Sequence, residues 1–243
     1  MTEPKIYAHR GCSGQLPENT MKAFVAAVPQ RASGIETDVR FTKDRKLLLL
    51  HDTSLKRMFG ADINARDYTL SELKKYCISP KYGPQHFDTP VCELCELLQF
   101  ISQCGLELNI EIKSEYADES GDLERAVADE VERFNVNDRV FYSSFDHLAL
   151  YRIKKHSPKS RTAILYSIPL YEVEKYADNL GCFAIHPNIP AALYDNTIEK
   201  AHEKGLKVNV WTVDDIKSAK ELIKAGADGL ITNFPKEIRE YAL

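Results

Sequence analysis

No stretch of this sequence approaches the roughly 18 consecutive apolar residues that a membrane-spanning helix needs, so no stable membrane anchoring is expected. Massed positive charge is missing as well: the 32 basic and 36 acidic residues leave a net charge of -4, and the basic ones are scattered. That distribution excludes the electrostatic footprint of a nucleic-acid binder. There is no low-complexity tract and no acidic tail, which excludes a largely disordered chain. The opening residues, MTEPKIYAHRG, lack the basic start and apolar stretch of a secretory signal. A cytoplasmic location is therefore expected, and with it six reduced cysteines (12, 77, 92, 95, 104 and 182) rather than a disulfide framework. Only Cys92 and Cys95 have metal-like spacing, and no second Cys or His pair lies near them. Helical periodicity in CELCELLQFI explains both as small buried residues on a helix.

What is present is an alternation of short apolar runs with amphipathic segments. At 243 residues, with 44% hydrophobic and 28% charged residues, the chain suits one large domain spanning 1–243. Strands are expected at 5–8, 34–41, 47–50, 107–112, 140–143, 162–166, 182–185, 207–211 and 229–232. Between them helices are expected at 18–28, 93–103, 122–134, 146–156, 170–177, 194–204 and 215–225, with a last short one from Pro235. The link Thr42 to Lys46 is too short for a parallel crossover, so 34–41 and 47–50 should form an antiparallel hairpin that returns His51 towards Glu36 and Asp38. Residues 54–90 break the pattern and read as an inserted segment with one capped helix start at Thr69. Setting the return arm aside, about eight strands alternate with helices. This α/β order points to a TIM-type (β/α)8 barrel, and pattern alone leaves a doubly wound sheet open.

In a parallel barrel the chemistry lies at the C-terminal ends of the strands, and those ends are strongly polar here. Glu36 and Asp38 are two apart on one strand and so share a face, where both remain charged only with a cation nearby. Glu111 adds a third carboxylate from another strand. An all-oxygen set favours a hard divalent cation, Mg2+ or Ca2+, over zinc. The alternatives are solvation at the rim or pairing with Arg10 or Lys113. His9 and His51 come from different strand ends and suit proton transfer near neutral pH as an acid and a base. Arg10 and Lys113 bring positive charge that either stabilises a phosphoryl group or neutralises the carboxylates.

His9-Arg10-Gly11 followed by Pro17-Glu18-Asn19-Thr20 and Ala23-Phe24 resembles the opening motif of the glycerophosphodiester phosphodiesterases. Glu36-Thr-Asp38-Val, Thr42-Lys-Asp44 and His51-Asp52 look like the family's second block, and Asn109-Ile-Glu111-Ile-Lys113 like its third. Ser144-Phe145, Trp211-Thr212-Val213 and Asp228-Gly-Leu-Ile-Thr-Asn-Phe-Pro235 resemble the later ones. The resemblance implies a TIM barrel with a small insertion after His51-Asp52. It implies a divalent cation at Glu36, Asp38 and Glu111, catalysis by His9 and His51, and hydrolysis of a glycerophosphodiester to sn-glycerol 3-phosphate and an alcohol. Arg10 and Lys113 would bind the phosphoryl group. His186, which with Pro187 matches a family feature, is expected to line the pocket, and Trp211 either to pack under the glycerol or to fill the barrel. Asn233 stands where the family often has Asp, so no polar role is carried over to it from the resemblance, and the departure leaves the metal and acid/base residues themselves unchanged. Two competing readings stay open: a lysophospholipid-cleaving phospholipase D or phosphoinositide-type phospholipase C on the same barrel, and a barrel that binds phosphoesters without turning them over.

Overall fold

The computed structural model describes residues 3–114 and 120–243. Its strands are β1 (Lys5–His9), β2 (Gly34–Phe41), β3 (Leu47–Leu49), β4 (Cys92–Glu93), β5 (Glu107–Ile112), β6 (Val140–Ser144), β7 (Thr162–Tyr166), β8 (Ala184–Pro187), β9 (Lys207–Val210) and β10 (Gly229–Thr232). Eight of them, β1, β2 and β5 to β10, pair in parallel in chain order, and β1 pairs with both β2 and β10, so the sheet closes into a barrel. β3 runs antiparallel to β2, and β4 antiparallel to β3.

The helices are α1 (Met21–Val25), α2 (Lys56–Phe59), α3 (Leu70–Leu73), α4 (Leu94–Cys104), α5 (Asp122–Arg133), α6 (His147–His156), α7 (Val173–Asn179), α8 (Ile189–Leu193), α9 (Thr197–Glu203), α10 (Ile216–Ala225) and α11 (Pro235–Ala242). None of the described helices is long and apolar enough to cross a membrane.

The period-two alternation of the strands decides what faces each layer. On β2, Ile35 and Val39 join a buried cluster with Phe24 of α1, Leu97 and Leu98 of α4 and Val127 and Val131 of α5. The intervening residues Gly34, Glu36 and Asp38 therefore face the interior. Low in the barrel Phe141 stacks edge-on against Tyr7, Phe183 and His186. Gly34 is required there, because a Cβ at that position would stand 2.7 Å from both the Tyr7 ring and the Glu107 carbonyl oxygen.

Several boundaries differ from expectation for identifiable reasons. The helix expected over 18–28 is confined to α1, and residues 26–28 continue as turns, because Pro29 lacks an N–H and disfavours helical geometry at Val28. The β8 strand runs through His186 and Pro187 rather than ending before them, and α8, capped by Asn188 and opened by Pro190, was not anticipated. Cys92 lies on β4 and not on a helix, while Cys95 sits in the first turn of α4; all six cysteines are free. In 54–90 the Thr69 capping box is present but supports a single turn, α3. This segment packs Leu55, Ala65, Leu70 and Leu73 against Leu48 and Leu50, with Phe59, Tyr68 and Tyr76 on the flank.

Candidate active site

Strand register assembles the site. His9 of β1 lies beside Glu36 of β2, and Glu36 beside Asn109 of β5. One inward step further along, Asp38 lies beside Glu111, and Glu111 beside Ser143 of β6. Two adjacent rows thus bring a histidine and three carboxylates to the C-terminal mouth of the barrel, and Glu36, Asp38 and Glu111 offer oxygen atoms that all lie within 4.8 Å of one another. The hairpin adds His51, since the Leu50 N–H donates to the Asp38 carbonyl at 3.1 Å and brings the next residue over the mouth. His9, Glu36, Glu111 and His51 line a cavity of about 80 Å³ together with Arg10, Lys113, Phe145 and Trp211, and Asp38 is fully buried next to them.

The residues after β1 explain the His-Arg-Gly order. Gly11 has φ +80, and a Cβ there would stand 2.6 Å from the Ala23 backbone, so only glycine lets the chain turn back against α1. The turn aims the Arg10 N–H at Glu36 Oε2 (3.1 Å), and its side-chain Nε approaches Asp38 Oδ2 at 3.2 Å. Asn19 closes the same corner, donating from Nδ2 to Asp38 Oδ2 at 2.9 Å while its Oδ1 accepts from Thr37.

The carboxylates are almost wholly buried, and their protonation preferences diverge. Burial, then the neighbouring Asp38 and Glu111 charges, push the Glu36 carboxyl well above the usual range. Burial and Asp38 likewise push Glu111 up to about 7. Asp38 is the exception: burial alone would raise it, but Lys113 and Arg10 outweigh burial and hold it below the usual range. Lys113 reaches Asp38 Oδ1 at 3.1 Å and also pairs with Glu111. Two cations therefore do not fully compensate three acids, and Asp38 Oδ1 has no aligned hydrogen-bond donor. The donor set, all carboxylate oxygens with negative charge to spare, fits a hard divalent cation.

Both histidines are braced from behind. His9 Nδ1 lies 2.7 Å from Asn233 Oδ1, and its Nε2 faces Glu36 at 3.8 Å; burial and the Arg10 charge push the ring down to about 4, so it is neutral at pH 7. His51 Nδ1 lies 2.8 Å from Asp52 Oδ1, and its carbonyl accepts two hydrogen bonds from Arg40, at 3.1 and 2.6 Å. Burial lowers the His51 ring against the opposing pull of Asp38.

The sequence-expected residues His9, His51, Glu36, Glu111, Arg10, Lys113 and Trp211 line the one cavity, while Asp38 is fully buried and paired with Arg10 and Lys113 beside it. His186 does not line it. It is fully buried one layer deeper, against Phe141 and with Nε2 2.9 Å from Asn209 Nδ2, because β8 carries it inside the barrel wall. Arg10 and Lys113 are both engaged with carboxylates here. Asn233, to which no polar role was carried over, hydrogen-bonds His9 directly, since the end of β10 lies alongside β1. Sequence reasoning gave no role to Arg57, which donates to Asp52 Oδ2 at 2.7 Å and to both Glu18 oxygens at 2.7 and 2.6 Å. Glu18 in turn accepts from Arg10 at 3.0 Å. The only signal for Glu18 was its place in the Pro17-Glu18-Asn19-Thr20 motif, and Arg57 carried none.

A barrel with an acidic, histidine-flanked mouth defines a phosphoric diester hydrolase of the TIM-barrel class once its relatives are considered. The chain belongs to the Glycerophosphoryl diester phosphodiesterase family, whose profile matches residues 9–237. It is 34% identical over 236 residues to the glycerophosphodiester phosphodiesterase of Caldanaerobacter subterraneus subsp. tengcongensis, covering 96% of this chain and 95% of that one. Among solved structures it resembles a putative glycerophosphodiester phosphodiesterase from Galdieria sulphuraria, with a TM-score of 0.88, 28% identity and coverage of 99% and 98% of the two chains. It also resembles an Oleispira antarctica phosphodiesterase solved in complex with the product sn-glycerol-3-phosphate, with a TM-score of 0.87, 26% identity and coverage of 98% and 96%.

Proposed function

We propose that this chain hydrolyses glycerophosphodiesters to sn-glycerol 3-phosphate and an alcohol, with a divalent cation held by Glu36, Asp38 and Glu111 and with His9 and His51 as its acid/base pair. The observation that carries this reading is a cluster of three buried carboxylates, two of which share one cavity with two histidines and two cations. The product complex of the Oleispira relative supports the glycerol phosphate end of the substrate.

A divalent cation held by Glu36, Asp38 and Glu111 would supply positive charge against the phosphoryl oxygens and would make a nucleophilic hydroxyl more acidic. The chain's own groups do the rest. Arg10 and Lys113, already poised over the carboxylates, stabilise the charge that builds on the phosphoryl oxygens in the transition state. One histidine removes a proton from the nucleophile, water or the substrate's glycerol 2-hydroxyl, and the other returns one to the departing alkoxide. Phe145 and Trp211, packed edge to face at 5.5 Å, form an apolar wall at the mouth. The rigid pair suits the carbon face of glycerol.

Within 54–90, Phe59, Tyr68 and Tyr76 pack on that segment's own core and Met58 is buried, so these four do not serve an acyl chain, whereas Phe87 is exposed. A broader hollow of about 420 Å³, lined by Arg40, Lys43 and Arg66, shares Lys113 with the cavity and gives the alcohol group room. His51→Ala tests the histidine assignment: turnover should fall far more than substrate binding weakens, because proton transfer matters in the transition state. Wild-type turnover in that variant removes His51 from the mechanism.

A further inference from the structure

The end of β10 and the loop after β9 converge behind His9. Asp214 Oδ1 accepts from the Asn233 N–H at 2.8 Å and from Thr232 Oγ1 at 3.1 Å, and Asp214 Oδ2 lies 2.5 Å from Asn233 Nδ2. A carboxylate only accepts, so the group facing it is the amide NH2, and the Asn233 side chain has one orientation. Its Oδ1 then points away from Asp214 and meets His9 Nδ1 at 2.7 Å, with Ser13 Oγ at 2.6 Å. A carbonyl oxygen also only accepts. His9 therefore carries its hydrogen on Nδ1, and in the neutral ring Nε2, which faces Glu36, keeps a bare lone pair.

We propose that Asn233, locked by Asp214, is a positioning residue that holds His9 in the Nδ1–H tautomer and leaves Nε2 available to the reaction. This rests on the acid/base role proposed above for His9. The opposite tautomer would turn an N–H towards Glu36 and leave that nitrogen unable to take a proton. An aspartate at 233 offers His9 the same acceptor, but two carboxyls would then meet at hydrogen-bond distance and one of them would have to hold a proton. Asparagine supplies the contact without that cost.

The test uses protein labelled with 15N in its histidine rings, with His9 assigned by difference from His9→Gln and its tautomer read from long-range proton–nitrogen correlations at neutral pH. The wild type should show Nδ1 protonated and Nε2 bare. Asn233→Leu should lose that preference and lower kcat roughly 10- to 100-fold, with KM changed by no more than about threefold. Asn233→Asp, which keeps the acceptor, should retain the tautomer and most of kcat. If Asn233→Leu does not fold, Asp214→Ala, which unlocks the amide without removing it, should give the same two readings as Asn233→Leu. A tautomer unchanged in Asn233→Leu, or in Asp214→Ala where that variant replaces it, overturns the inference. A tautomer that shifts while kcat stays at wild type leaves the hydrogen-bond assignment standing and overturns the acid/base role of His9 on which it rests.

Discussion

Arg57 donates its Nε hydrogen to Asp52 at 2.7 Å, and through that contact a residue of the segment after β3 braces a site built on β1, β2 and β5. Asp52 holds His51, while the other end of the same guanidinium grips Glu18, which holds Arg10. The segment thus orients one histidine and one cation together.

Arg57→Gln should therefore lower kcat roughly tenfold, as loss of such an orienting contact usually does, while the half-exposed side chain contributes little to stability. Steady-state kinetics with a thermal melt separates the two. Unchanged kcat would show that the His51–Asp52 pair needs no brace.

Replacing a carboxylate should act on the cation first. Glu36→Gln or Asp38→Asn should weaken Mg2+ or Ca2+ binding by more than about tenfold, or about 1.4 kcal/mol, in calorimetric titration. The rise in melting temperature that saturating cation gives the wild type should shrink in parallel. Affinity equal to wild type would place the cation elsewhere.

His186 makes a prediction about pH. Burial pushes its ring down to about 3 in the fold, against about 6.5 in the unfolded chain. The unfolded state therefore takes up the proton first, so the contribution to stability is complete above pH 6.5 and is lost as pH falls towards 3. Between pH 7 and pH 5 the wild type should lose about 2 kcal/mol that His186→Gln does not lose. Urea unfolding of both proteins at the two pH values measures this, and parallel losses would contradict it.

Gly34→Ala should destabilise by about 1–3 kcal/mol through overpacking, because the new methyl meets the Tyr7 ring and a backbone oxygen. The urea midpoint at constant slope reports it, and a change near zero would mean that the barrel floor can relax.

Much of this molecule is legible in its sequence, for a physical reason: strand alternation and strand-end chemistry are local. The spans of β2, β5, β7 and β10 coincide with the apolar runs, and the hairpin follows from the shortness of 42–46. The acidic cluster was readable because two carboxylates two apart on a strand must share a face. What was not legible is carried by contacts between distant parts of the chain. Asn233 meets His9 across 224 positions and Arg57 meets Glu18 across 39, and no local pattern announces either. His186 was misplaced because a strand end two residues off moves a side chain from the mouth to the floor. Helix ends failed where Pro29 and the Asn188-Ile-Pro190 turn cut across the 3.6-residue period.

Cation-dependent glycerophosphodiesterase activity is tested by one assay: release of sn-glycerol 3-phosphate from a panel of deacylated phospholipids by EDTA-treated protein titrated with Mg2+ or Ca2+. EDTA should abolish turnover, and one or both cations should restore it. Turnover untouched by EDTA would rule out the cation's role, and turnover seen only with acylated substrates would rule out glycerophosphodiesters as the substrate.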